Sequence, residues 1–251
     1  MTESRVKCVI FDCEGTLVDS ERLCCEALVQ VFGELGVALS YQQVAEHFSG
    51  GKIADILHAA CQLAKITADI DLLEQRYRSI VAATFRRKLS PMGGARALLN
   101  YLKRNQIEFC VASNAPREKI AMTLTLAGLE HYFEGRIFSA FDANSWKPEP
   151  DLIRYCAMNM GFTLDECIYV DDTPKGVEAG LNAEVLTFQL SPLNPQHRSH
   201  SQQVIVLSNL LQLAEYLSGS VMRHPRKPIL SRLTFVSCFR FFRFFWRWEL
   251  C

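Results

Sequence analysis

The sequence predicts an α/β fold, a parallel sheet with helices on both faces and an α-helical domain inserted after the first strand. Three observations predict it. Short apolar runs recur at wide spacing, at Val6–Phe11, Ile107–Ala112, Ile168–Val170 and Val185–Leu190, with a weaker one at Ile137–Phe138. Helical periodicity fills the gaps between the later runs, and alternation of strand and helix points to a parallel, doubly covered sheet. Residues 17 to about 90 break that rhythm with helical patterns and no good strand.

The elements follow in order. Val6–Phe11 reads as a buried strand. Ser20–Phe32 reads as a helix, and Ser40-Tyr41-Gln42-Gln43 has the capping-box pattern that opens another. Ile53–Lys65 and Asp69–Lys88 complete the helical block. Ser90-Pro91 and Gly93-Gly94 mark the return to the α/β pattern. Gly94–Asn105 places Ala95, Leu98, Leu99 and Leu102 on one helical face. Ala115–Ala127 carries Pro116 in its first turn and stops at Gly128. Pro150–Met160 stops at Gly161, and Lys175–Asn182 follows Asp171-Asp172. Val204–Val206 and Leu210–Leu217 add a last strand and helix. The expected organisation is a Rossmann-like core of residues 1–16 and 91–221, a helical cap of residues 17–90, and a tail of residues 222–251. Two connections would join cap to core, and such joints can hinge.

The charge balance excludes one class of partner. Net charge is zero over 251 residues, but residues 222–251 hold seven Lys or Arg and one acid. Residues 1–221 therefore carry 20 basic against 26 acidic side chains. A body with that excess of acid does not attract nucleic acid in bulk. The ten cysteines are scattered without a C-x-x-C pair, which predicts reduced, mostly buried thiols in a cytoplasmic protein. Met1–Lys7 is polar and leads into a strand, so no signal peptide is expected, and no apolar run reaches membrane-spanning length. The tail alternates aromatics with arginines from Phe239 to Trp248. It reads either as a membrane-surface or nucleic-acid contact, or as an extension that never joins the fold. The second reading is preferred, because the composition matches nothing upstream.

Four short pieces stand at strand or helix boundaries and can meet on one rim of the sheet. They are Asp12-Cys13-Glu14-Gly15-Thr16, Ser113-Asn114, Lys147-Pro148 and Asp171-Asp172-Thr173. In open α/β sheets, ligands bind at the carboxyl ends of the strands. Asp12, Glu14, Asp171 and Asp172 would place up to four negative charges in one crevice, which is costly without cations. A hard divalent ion with oxygen ligands relieves that cost, and Mg²⁺ suits a site shared with phosphate. Lys147 adds a positive charge, and Ser113 and Asn114 add neutral donors. The set suits phosphoryl transfer to a carboxylate. Cys13, between the two acids, should point away from them on an extended backbone and belong to the core.

These motifs, in this order, resemble those of the haloacid dehalogenase superfamily of phosphatases, in its subgroup with a helical cap after the first strand. The resemblance covers roughly residues 5–218. It implies that Asp12 attacks phosphorus and becomes an aspartyl-phosphate, and that residue 14 protonates the leaving alcohol and then draws a proton from water. It implies that Ser113 and the backbone beside it hold phosphate oxygens, and that Lys147 offsets charge on Asp12 and phosphate. It implies further that Asp172 ligates Mg²⁺ with Asp12 and the backbone carbonyl of Glu14, supported by Asp171. Two departures stand out. Glu14 occupies a position that is usually Asp, which adds a methylene to the proton shuttle. Glu184 stands where relatives often have Gly.

The resemblance makes the expected activity Mg²⁺-dependent hydrolysis of a small phosphorylated metabolite, such as a sugar phosphate or sugar acid phosphate. A phosphosugar mutase shares every core residue named. A catalytically weak binder of phosphorylated ligands is the reading in which Glu14 impairs proton transfer. Lys52, in Gly50-Gly51-Lys52 of the helical block, is either a substrate-reading residue of a cap loop or a solvated lysine in a plain turn. His197 and His200 form H-x-x-H but lie in a Ser/Pro-rich loop without an acidic partner, so no metal is expected there.

Overall fold

The computed structural model describes residues 6–219. Six strands form one sheet: β1 (Cys8–Phe11), β2 (Glu108–Ser113), β3 (Ile137–Ser139), β4 (Cys167–Asp171), β5 (Leu186–Leu190) and β6 (Val204–Leu207). Their order is β3-β2-β1-β4-β5-β6, and every neighbouring pair is parallel. The α/β class expected from the sequence is the class observed. The tail, residues 222–251, lies outside the described residues.

Burial on both faces explains why β1 reads as an unbroken apolar run. Side chains alternate across the pleat. Val9 and Phe11 join Phe109, Val111, Ile168, Val170 and Phe188 in one core cluster. That face is covered by α5 (Ala95–Arg104), α6 (Arg117–Leu126) and α10 (Leu211–Leu217), which supply Leu98, Leu102, Ile120, Leu124 and Leu213. Cys8 and Ile10 face the other way, with Cys110, Ala112, Cys167 and Tyr169. There α8 (Asp151–Met160) and α9 (Pro174–Asn182) contribute Leu152, Ile153, Cys156 and Ala179. The eight cysteines among the described residues are all free, and seven are buried.

The helical block holds α1 (Ser20–Glu34), α2 (Tyr41–His47), α3 (Ile53–Ala64) and α4 (Ile70–Lys88). It has its own apolar cluster, built around Leu28, Val31, Phe32, Leu57, Leu73 and Tyr77. The capping box is present: Gln43 N donates to Ser40 Oγ at 3.2 Å, and Ser40 N donates to Gln43 Oε1 at 3.0 Å. Arg76 grips both carboxyl oxygens of Glu34 at 2.7 Å, tying α4 to α1. The two connections to the sheet run side by side. Asp19 N donates to Ser90 O at 3.0 Å, and Met92 N donates to Leu17 O at 2.8 Å.

Small differences from the expected boundaries have local causes. Pro116 is the residue before α6, not a member of its first turn. A four-residue helix, α7 (Ala140–Ala143), has no sequence signature because one turn carries no periodicity. It is capped by Ser139 and Asp142. Asp171 is the last residue of β4, so the strand carries its carboxylate to the rim. Glu184 sits at φ 59°, in the left-handed region that favours glycine. No helix among the described residues is long and apolar enough to cross a membrane.

Candidate active site

The strand order reverses at β1. Connections run outward to β2 and β3 on one side, and to β4, β5 and β6 on the other. The crevice at such a switch point, beyond the strand carboxyl ends, is where α/β sheets bind ligands. Asp12 leaves β1 there, and its N–H donates to Val170 O at 2.9 Å, which locks it against β4. Asp171 and Asp172 leave β4 beside it. Ligand oxygens of Asp12, Asp171 and Asp172 all lie within 4.8 Å of one another, and all three residues are buried.

Lys147 is the one buried cation in this group. Its Nζ donates to Asp12 Oδ1 at 2.5 Å and to Asp171 Oδ2 at 2.8 Å. The Lys147-Pro148 peptide is cis. Asn114 holds this loop: Lys147 N donates to Asn114 Oδ1 at 2.9 Å, and Asn114 Nδ2 donates to Lys147 O at 3.4 Å. The Asn114 amide thus uses its oxygen and one N–H on the lysine's backbone. Ser113 is buried at the end of β2, and its Oγ accepts from Ala115 N at 3.3 Å.

Asp171 is the most fully bonded of the three acids. It accepts from Lys147, from Tyr169 Oη at 2.5 Å, and from Thr173 N and Oγ1 at 2.8 and 2.7 Å. Burial alone would raise its pKa, but the Lys147 charge and these donors hold it below the ordinary carboxylate value. Asp12 differs. Burial, only partly offset by Lys147 and reinforced by Asp171, pushes it up to about 7. Asp172 is driven well above the ordinary value by burial and then by Glu21, Asp171 and Asp12, while Thr16 Oγ1, donating at 2.7 Å, pulls the other way. One ammonium cannot neutralise this cluster.

Two glycines make room for the acids. Gly15 has φ 84°, and a Cβ there would overlap the Asp172 carboxyl. A Cβ on Gly176 would overlap the Asp171 carboxyl. The backbone at Gly15 thus lies directly against an acid of the site.

One acid named from the sequence pairs with a lysine, and one acid of the crevice carried no sequence signal. Glu14 does not join the aspartates with its side chain. Its Oε2 accepts from Lys119 Nζ on α6 at 2.9 Å. The fourth acid of the crevice is Glu21, in the first turn of α1. It is pushed up to about 7 by burial and then by Asp12 and Asp171, with hydrogen bonding to Asp172 pulling the other way. Glu21 also marks where the helical block meets the site, because its Oε1 lies 3.5 Å from where a Gly50 Cβ would stand. Lys52, two residues on, is exposed and immediately precedes α3. Tyr169 is legible in principle, since residues two apart on a strand share a face and Tyr169 stands two residues before Asp171. Lys119 and Glu21 had no such signal.

A family model described as haloacid dehalogenase-like hydrolase matches residues 9–189. The chain belongs to that family. A 6-phosphogluconate phosphatase of Escherichia coli (strain K12) is 36% identical over 193 residues, covering 76% of this chain and 86% of that protein. A phosphorylated carbohydrates phosphatase of Thermotoga maritima is 23% identical over 180 residues, covering 72% and 82%. Among solved structures, a conserved haloacid dehalogenase-like protein of unknown function from Agrobacterium tumefaciens superposes with a TM-score of 0.72 at 26% identity, covering 85% of this chain and 98% of that one. The resemblance expected from the four motifs is therefore the family found.

Proposed function

We propose that this haloacid dehalogenase-like hydrolase is a Mg²⁺-dependent phosphatase of a small phosphorylated sugar or sugar acid, acting through an aspartyl-phosphate on Asp12. The observation that carries the reading is the crevice itself. Lys147 bridges Asp12 and Asp171, while Asp172 joins them without a cation of its own. The likeness to a 6-phosphogluconate phosphatase supports the substrate class and makes 6-phosphogluconate the first compound to try.

The donor set fits a hard cation. Buried carboxylates whose own charges raise one another's pKa are an oxygen-rich, under-neutralised site. Asp12, Asp172 and the Glu14 backbone carbonyl would hold Mg²⁺, with Asp171 behind them. Bound there, the ion would offset the charge of the phosphate and the acids. The chain's own residues account for the rest. Lys147 favours the ionised form of Asp12 and orients it for attack on phosphorus. Ser113 and the adjoining backbone receive phosphate oxygens. As the Asp12 oxygen bonds to phosphorus and the ester P–O bond breaks, Glu14 delivers a proton to the departing alcohol. Glu14 then takes a proton from the water that hydrolyses the acyl phosphate, which restores Asp12.

Residues 17–90 form the cap in this reading, hinging at the paired connections around Leu17–Asp19 and Ser90–Met92. Lys52 reads the anionic end of the substrate. Eight free thiols fit a reducing, cytoplasmic setting.

The test is phosphate release from a panel led by 6-phosphogluconate and fructose 1-phosphate, with Mg²⁺, and with Asp12→Asn as the blank. Free phosphate without an isomerised product is the expected result. Isomerisation without phosphate release would identify a mutase. Tight binding without turnover would identify a ligand-capture protein.

A further inference from the structure

We infer that Lys119 is a positioning residue for proton transfer by Glu14, an inference that rests on the proton-shuttle role proposed above. Glu14 has one more side-chain torsion than Asp, so its carboxylate has more positions to choose from. Lys119 removes that choice. Its Nζ reaches across from α6 to Glu14 Oε2 at 2.9 Å, with side-chain exposures of 49% and 31%. One oxygen of Glu14 is held by the ammonium, which leaves Oε1 for a proton donor or acceptor on the substrate.

The placement has a reason in the fold. Glu14 follows β1, and α6 begins after the turn that follows β2, the strand next to β1. Ser113 ends β2, so Lys119 and Ser113 approach the crevice from the same side. Asp12 and Ser113 are buried whereas the Glu14 and Lys119 side chains are half-exposed, so the pair stands on the solvent side of the residues proposed to receive phosphate. A misplaced proton donor costs much in rate even when binding survives.

The experiment compares two esters. An alkyl phosphate needs a proton on its departing oxygen, whereas p-nitrophenyl phosphate releases a stable anion. The kcat/KM ratio of alkyl to aryl ester therefore reads proton delivery and cancels folding, concentration and phosphate binding. The alkyl ester is the one turned over fastest in the phosphate-release panel. Lys119→Met is expected to lower the ratio about tenfold, Glu14→Gln about 100-fold, and Lys119→Arg is expected to return it to within about threefold of the parent protein, because Arg still donates to Glu14. Adding Lys119→Met to Glu14→Gln should change the ratio no further.

Equal loss on both esters in Lys119→Met, or a further loss in the double variant, would overturn the positioning role and leave the phosphatase reading standing. An unchanged ratio in Glu14→Gln would remove the shuttle role, and Lys119's with it. Absence of Asp12-dependent phosphate release from any ester would defeat both readings together.

Discussion

Gly176→Ala is the sharpest perturbation the fold offers, because helix propensity and packing predict opposite signs. Gly176 lies inside α9 without a positive φ. By propensity alone, alanine there should stabilise by about 1 kcal/mol. The added methyl, however, would overlap the Asp171 carboxyl. That carboxyl is fixed by four donors, from Lys147, Tyr169 and Thr173. A hydrogen bond to a charged group contributes about 1.5–3 kcal/mol. Loss of two of the four costs about 3–6 kcal/mol, and the propensity gain of about 1 kcal/mol leaves a net loss of about 2–5 kcal/mol. Gly33, inside α1, is the control, because a Cβ there meets nothing within 4 Å. Gly33→Ala should stabilise by about 0.5–1 kcal/mol. Urea unfolding of both variants, with equal slopes, reads the difference directly. Activity should fall at least about tenfold in Gly176→Ala, since a displaced Asp171 no longer anchors Lys147. A Gly176→Ala protein as stable as its parent, beside a stabilised Gly33→Ala, would refute the account of how Asp171 is packed.

Two further outcomes follow from the same crevice. Asp12 rises from 3.8, and Glu21 from 4.5, to about 7 on folding. Between about pH 4 and 7 the folded protein therefore binds more protons than the unfolded chain, and stability falls as pH rises. In EDTA the Tm should be higher at pH 5 than at pH 7.5, Mg²⁺ should raise it more at pH 7.5, and Asp12→Asn should flatten the slope. A Tm in EDTA that climbs over this range would contradict the electrostatics. Asn114→Ala removes both hydrogen bonds to the Lys147 peptide. It should cost about 1–2 kcal/mol and about tenfold in kcat, whereas an unchanged kcat would show that the loop holds Lys147 without it.

What was legible in the sequence was local. Strand runs, capping residues and the Gly stops depend on neighbours within a few positions, and β1 was readable because burial on both faces demands an unbroken apolar run. The rim acids Asp12, Asp171 and Asp172 were readable for the same reason, since each stands at or just beyond the end of such a run. The partners of those acids were not. Glu14 could be placed at the rim, but whether its carboxylate faced Asp12 or Lys119 depends on α6, which lies about a hundred residues along the chain. Glu21 looked like a helix-start acid until the packing of α1 over the sheet set it against Asp172. Charge interactions act through space and fall off with distance, so only the tertiary structure, by choosing which helix faces which strand end, decided where each carboxylate found its counter-charge.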